Sequence, residues 1–227
     1  AFNDPTVKKP TLSDFDYHLP QELIAQEPSG RRDQSRLLVY KRSDKSIIHT
    51  QFYQIGDHLP SNTTLVMNNT KVDDCRLQWE EGKKEVFIVS SMAENPVKAM
   101  VRPGRQFREG AYHQISEICS LRVQHVLEDG LRVCRLDPDP TDPAWAPYFH
   151  TPFPPYIQPN EKLAERYQTV YSSTPGSKAA PTAGLHFTPE LLQQLEHQGI
   201  SQTEVTLNVG LGTFAPVKTD DIHAHKM

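Results

Sequence analysis

The sequence predicts a mixed, strand-rich α/β protein whose main domain is interrupted by a small antiparallel β-barrel-like insert. Three observations lead there. An apolar run over 63–67 has the length of a buried strand and delivers the polar stretch Asn68-Asn69-Thr70-Lys71. A capped amphipathic helix begins at Thr188-Pro189-Glu190 and is followed by a further strand. Between them, from about 76 to 135, short alternating stretches are punctuated by Gly82, Gly104, Gly110 and Gly130, the spacing of a small barrel or sandwich. The main domain is therefore assigned to 1–75 plus 151–227, and the insert with its return linker to 76–150.

In chain order, 12–25 reads as a short strand and helix, with Pro20 near the start of the helical turn. Residues 28–33 form a polar turn carrying Arg31 and Arg32. Stretches 35–40 and 46–48 pair across an Asp44-Lys45 turn, and 52–59 is a short helix. Insert strands are expected at 85–89, 97–101, 114–118, 121–126 and 131–136. The proline-rich segment 137–155 returns the chain as a stiff linker. A short helix covers 161–167. In the helix after Thr188 the apolar stripe is Leu191, Leu192 and Leu195, Gly199 stops it, and 203–209 is the last strand, turned by Gly210-Leu211-Gly212. No internal repeat is present.

With 227 residues, 37% of them apolar, the chain can bury a substantial core without disulfides. Cys75, Cys119 and Cys134 are odd in number and form no CxxC pair, which argues against a zinc ribbon or disulfide framework and for a reducing, cytoplasmic location. No apolar run is long enough to span a bilayer, and 1–12, lacking an apolar signal core, reads as a polar lead-in. A net charge of −4 confines any nucleic-acid surface to a local basic patch.

The densest chemistry lies in Ala180-Pro181-Thr182-Ala183-Gly184-Leu185-His186-Phe187. Gly184 allows close approach of a ligand to backbone, and Thr182 and His186 can donate, accept or move a proton. His186 stands just before a helix N-terminus, where the neutral imidazole is the favoured form, as a general base requires; a core histidine bonded to backbone is the other reading. Asn68 and Asn69 offer amides for ribose hydroxyls or base edges, or else form a polar turn. Tyr156, Tyr167, Tyr171 and Phe214 could stack on a purine-like ring or pack beneath a loop. Gly210-Leu211-Gly212-Thr213 falls short of a dinucleotide fingerprint. His223 and His225, with Asp220 and Asp221 nearby, have strand-like spacing for a metal but equally suit a solvated tail. No HExxH, GxSxG or P-loop occurs.

Taken together, these segments resemble the S-adenosylmethionine:tRNA ribosyltransferase-isomerase family of the queuosine pathway. The resemblance starts at Phe15 with Leu19-Pro20-Gln21-Glu22-Leu23-Ile24-Ala25-Gln26 and Arg32-Asp33-Gln34-Ser35-Arg36-Leu37. It continues through Leu65-Val66-Met67-Asn68-Asn69-Thr70-Lys71-Val72, Phe153-Pro154-Pro155-Tyr156-Ile157, 166–172 and 179–187. It ends with Val205-Thr206-Leu207-Asn208-Val209-Gly210-Leu211-Gly212-Thr213-Phe214. Departures are Lys71 in place of the family's arginine, which keeps charge but loses bidentate geometry, Asp73-Asp74-Cys75 before Arg76-Leu77, and Asn208 in place of a histidine. The chain stops at His225-Lys226-Met227, where the family normally continues.

The resemblance implies transfer of the ribosyl portion of S-adenosylmethionine to the aminomethyl group of a 7-deazaguanine at the tRNA wobble position. Adenine and methionine leave, and the sugar rearranges to epoxyqueuosine. S-adenosylmethionine is then a co-substrate, tRNA the partner, and no metal, redox cofactor or membrane is implied. His186 is expected as the acid/base group, with Thr182 orienting substrate hydroxyls. Asn68, Asn69, Thr70, Lys71, Arg166, Tyr167, Gln168, Tyr171, Gly184, Gly210, Gly212, Thr213 and Phe214 are expected to bind substrate. Arg31, Arg32, Lys71, Arg102, Arg105 and Arg108 are candidates for phosphate contacts, with solvated surface charge as the other reading. A non-catalytic RNA- or nucleoside-binding relative is the alternative function, and a metal-dependent hydrolase using His186, His223 and His225 a second.

Overall fold

The computed structural model describes residues 11–222 except 155, 159, 215, 216, 218 and 220, together with no side chain at 161, 211 or 214. The protein is mixed α/β and strand-rich. The first two strands, β1 (Arg36–Lys41) and β2 (Ser46–Gln51), form an antiparallel hairpin turned at Lys45, whose φ is +58°. A 3₁₀ helix, Phe52–His58, leads to β3 (Thr64–Asn68) and β4 (Thr70–Val72).

Seven strands follow: β5 (Arg76–Trp79), β6 (Lys84–Ile88), β7 (Val97–Arg102), β8 (Tyr112–Gln114), β9 (Ser120–Val126), β10 (Arg132–Asp137) and β11 (Phe149–His150). They make one antiparallel sheet in the order β11-β5-β6-β7-β10-β9-β8, curled like half a barrel. The alternation along each strand explains the curl: Leu77, Val86, Ile88, Val97, Ala99, Leu121, Val123, Cys134 and Leu136 all point into one closed cluster capped by Trp79, Phe107 and Trp145. Each Leu, Ile or Val among them, fully enclosed, contributes about 1.5–3 kcal/mol. Trp145 fixes the return of the chain by donating its indole N–H to the Pro138 carbonyl at 3.0 Å.

The remainder comprises β12 (Thr174–Ser177), the helix α1 (Pro189–His197) and β13 (Ser201–Val205). Both strands pair in parallel with the early segment, β13 with β3 and β12 with β4. Thr188 caps α1 by accepting the Leu191 N–H at 3.1 Å, Pro189 occupies the first position, and Gly199 ends the helix with φ +82°. Leu191 and Leu195 pack against Phe52, Phe187 and Ile200. Gln202 ties β13 to α1 through the Leu192 carbonyl. A third cluster joins Val72, Phe153, Tyr167 and Ala180.

The expected strand and helix at 12–25 are instead two 3₁₀ turns, Leu12–Phe15 and Gln21–Leu23, and among the described residues β-pairing there is limited to a bridge from Thr11 to Asp221. Leu19 and Leu23 remain 48% and 70% exposed, so among the described residues neither side chain is anchored in a core that would extend the second turn. The expected strand at 114–118 ends at Gln114, because the N–H groups of Ile115 and Ser116 fold back onto the Cys119 carbonyl. The last strand stops at Val205 rather than 209, because side chains replace its ladder: Leu207 N–H donates to Asn68 Oδ1 and Val209 N–H to Ser177 Oγ. The helices expected at 52–59 and 161–167 form as 3₁₀ helices. Asp220, His223, His225 and the Phe214 side chain lie outside the described residues.

Candidate active site

At Asn69 the chain changes partner. Its N–H donates to the Val205 carbonyl of β13 at 2.9 Å, while its own carbonyl accepts the Ser173 N–H just before β12 at 2.9 Å. Two parallel pairings thus meet at one residue, at the carboxyl ends of β3 and β13, the kind of place where α/β sheets bind ligands.

The side chains there form one polar network. Asn68 donates to the Leu207 carbonyl at 2.8 Å and its Oδ1 accepts from Leu207 N–H and Thr70 N–H. Asn69 donates to Glu204 Oε2 at 2.9 Å and accepts the Thr206 hydroxyl at 2.7 Å. The Thr70 hydroxyl, fully buried, donates to Asn208 Oδ1 at 2.7 Å. Asn208 Nδ2 in turn faces Gly176, where φ is +129° and a Cβ would sit 2.8 Å from that nitrogen. Lys71 points outward from β4, exposed.

Beneath this network lies a buried ion pair. Lys178 Nζ meets Asp73 Oδ2 at 3.2 Å with the side chains 5% and 13% exposed, and Asp73 Oδ1 accepts the Gly176 N–H. Lys178 N–H donates to the Val209 carbonyl at 2.8 Å, so the pair fastens β12 to the 206–209 run.

Tyr171 connects the network to the second motif. Its hydroxyl lies directly over Gly184, where any Cβ would overlap it. Burial, and secondarily Glu204, raises the phenol pKa. Gly184 belongs to the 3₁₀ helix Thr182–His186, in which residues three apart eclipse, so Thr182 aligns with Leu185 and Ala183 with His186. Thr182 is exposed; His186 is half-buried with its ring centroid 5.1 Å from that of Phe52.

The structure brings Asn68, Asn69 and Thr70 together, and places Tyr171 on Gly184. Other expected residues serve the framework. Tyr167 is 8% exposed and packs on Phe153 at 5.4 Å, and burial raises its phenol pKa. Gln168 clasps the Val72 backbone with both amide atoms, at 3.0 and 2.9 Å. Arg166 donates to the Ser29 and Gly30 carbonyls, and lines an open cleft of about 490 Å³ with Gly30, Arg31, Arg32, Thr188 and Glu190. Gly210 is open to solvent, Gly212 half-buried and Thr213 exposed.

Glu204, Thr206, Asp73, Ser177 and Lys178 were missed by sequence reasoning. Glu204 and Thr206 carried a signal, since i, i+2 spacing puts both on one side of the extended run expected over 203–209. So did Lys178, a charge inside the small-residue run 177–180. Among the described residues no cluster of three or more metal-ligating side chains occurs, and no helix is long and apolar enough to cross a membrane.

Residues 12–227 match the family described as queuosine biosynthesis protein. The S-adenosylmethionine:tRNA ribosyltransferase-isomerase of Thermosipho africanus is 43% identical over 219 residues, covering 95% of this chain. The enzyme of the same name from Thermotoga maritima is also 43% identical with the same coverage. The chain spans 65% of the length of each. A crystal structure of an S-adenosylmethionine tRNA ribosyltransferase from Thermotoga maritima is 33% identical, covering 86% of this chain and 58% of its own, with a TM-score of 0.37.

Proposed function

We propose that this chain, which belongs to the queuosine biosynthesis protein family, acts as an S-adenosylmethionine:tRNA ribosyltransferase-isomerase. It would move the ribosyl moiety of S-adenosylmethionine onto 7-aminomethyl-7-deazaguanine at the tRNA wobble position, releasing adenine and methionine and giving epoxyqueuosine. The observation that carries the reading is the partner switch at Asn69, which sets a rigid array of amides and hydroxyls at the carboxyl ends of parallel strands.

The chemistry assigns work to particular groups. The sulfonium acidifies the adjacent 5′ carbon, and a base must take a proton there to give an ylide; His186 is proposed for that step. Thr182 orients substrate hydroxyls, Asn68 and Asn69 hold ribose or base edges, and the ring-stacking role expected of Tyr167 or Phe214 passes from Tyr167, buried against Phe153, to Tyr171. Gly184 and the 210–212 loop let backbone approach the ligand. The tRNA base leaves its stack to reach the pocket. S-adenosylmethionine is consumed as co-substrate, and no metal or redox cofactor is part of the proposal. Three buried free thiols fit a reducing, cytoplasmic setting.

The proposed architecture has residues 76–150 as an insert in a discontinuous main domain. It is supported by cores that divide the same way. One cluster draws only on residues 75–149, while the cluster of Phe52, Phe187, Leu191, Leu195 and Ile200 joins the two flanking segments.

The test is adenine release from S-adenosylmethionine with and without tRNA carrying the aminomethyl-deazaguanine base. Release only with that tRNA is expected, and its loss in His186→Ala. Binding of the tRNA without adenine release would sink the catalytic reading and favour a nucleoside- or RNA-binding role.

A further inference from the structure

We infer that the open cleft between residues 30–32, Arg166 and the start of α1 binds a phosphodiester of the RNA substrate. The inference rests on the proposed tRNA-modifying function for the identity of the RNA. It adds a site apart from the Asn69 network.

The cleft is built from three arginines and the first turn of α1. Two of the arginines are held rigidly. Arg32 donates to the carbonyls of Arg166 and Leu185 at 3.1 Å and of Glu165 at 3.2 Å. Arg166 donates to Gly30 and Ser29 at 3.2 and 2.9 Å. Carbonyls satisfy hydrogen bonds without cancelling charge, and among the described residues neither guanidinium is ion-paired, whereas Arg31 pairs with Asp33 at 2.9 Å. Each guanidinium has five N–H groups, so donors remain on both. Among the described residues the buried Arg166 Nε has no hydrogen-bond partner.

Two like charges fixed side by side repel each other: burial, and secondarily Arg166, lowers the Arg32 pKa. A bound oxyanion removes that repulsion at no cost in side-chain ordering, because the forks are already immobilised. Glu190 lines the same cleft and opposes an anion. The arginines outnumber it, and the partial positive charge at the N-terminus of α1 adds to them. A phosphodiester suits this geometry better than a nucleobase, since the lining offers donors and charge but no aromatic face.

Arg32 and Arg166 tie the fold together, so the informative variants are Arg31→Gln and Glu190→Gln; Arg31 also pairs with the buried Asp33, so the urea midpoint of Arg31→Gln is measured beside its tRNA binding to show that the variant is folded. The readout is the Kd of a tRNA transcript as a function of salt. Arg31→Gln should weaken binding several-fold and reduce the slope of log Kd against log salt by about 0.7, one single-strand phosphate contact. Glu190→Gln should tighten binding. Arg122→Gln, on β9 where the guanidinium stacks on Tyr112, controls for net charge and should leave the slope unchanged. A slope insensitive to both cleft variants, or no tRNA binding by the parent chain, overturns the inference. So does a shift in S-adenosylmethionine affinity with tRNA binding intact, which would give the cleft to the donor's carboxylate. Cleft-sensitive tRNA binding without adenine release would sink the catalytic reading alone; release with an insensitive slope would sink the cleft alone.

Discussion

Gly184→Ala sets two effects of opposite sign against each other. Alanine in place of a glycine whose backbone it can adopt ordinarily stabilises by about 0.4–1 kcal/mol, chiefly by restricting the unfolded chain. At Gly184 the added methyl would overlap the Tyr171 hydroxyl and lie 2.9 Å from Thr169 Cγ2 and 3.1 Å from Tyr171 Cζ. Carbon atoms pack best at about 3.5–4.0 Å, so Tyr171 must move, and overpacking of this kind costs about 1–3 kcal/mol. The steric effect wins, with a net loss of about 1–2 kcal/mol in urea unfolding at unchanged m value. The decisive comparison is the same change in Tyr171→Phe, which removes the overlapping oxygen. There Gly184→Ala should cost at least about 1 kcal/mol less, a coupling well outside the roughly 0.3–0.5 kcal/mol within which independent sites add. Additive single changes, or a neutral Gly184→Ala, would refute the claim that this glycine exists to seat Tyr171.

Lys178→Met should destabilise by about 3–5 kcal/mol, since it strands the Asp73 carboxylate in a largely buried site. Adding Asp73→Asn should recover part of that loss, as urea midpoints of the single and double variants would reveal. Burial pushes the Cys75 and Cys134 thiols up to about 12 from 9.0. Between these values the unfolded chain has released protons that the folded chain retains, so stability should fall as pH rises through that window, by up to about 1.4 kcal/mol per pH unit for each thiol. Alkylation of both at pH 8 should track unfolding, and rapid modification of the native protein would count against their burial. Burial, with Lys84 secondarily, lowers the His113 pKa from 6.5. The unfolded chain therefore binds more protons just below that value, and stability should fall on acidification from there. His113→Phe should flatten this acid limb in a pH series of denaturation midpoints.

Much of the framework was legible because local rules and tertiary packing agree. Thr188-Pro189 and Gly199 bound α1 as capping chemistry requires, and alternation found β6, β7, β9 and β10 to within a residue or so at each end. The misses fall where side chains stand in for backbone partners. Nothing local in Leu207 or Val209 says that Asn68 and Ser177 will take their N–H groups. β5 and β11 were missed for a related reason: four- and two-residue strands carry too few alternations to register, and their pairing is settled by the cluster around Trp145. The Asn68-Asn69-Thr70 motif was visible as a polar stretch. Its function as a junction between two parallel pairings was not, because the partners lie more than a hundred residues away.

That junction also divides the motif residues by the work they can do. Thr70, Gln168 and Arg32 commit donors to fixed acceptors inside the protein, so their substitution perturbs the frame before it perturbs any ligand. Asn68 is similar, since two of its bonds hold Leu207 against the end of β3 and a third takes the Thr70 N–H. His186 differs: among the described residues its ring is seated by Phe52 rather than by hydrogen bonds. Thr182, exposed at the start of its helix, likewise has no hydroxyl partner among them. A proton-transfer group needs a ring or hydroxyl not already engaged, and a positioning frame needs the reverse. On that criterion the strand-end asparagines suit the rigid wall of the proposed site, and His186 and Thr182, whose polar atoms are uncommitted among the described residues, suit its proposed proton-transfer and hydroxyl-orienting groups.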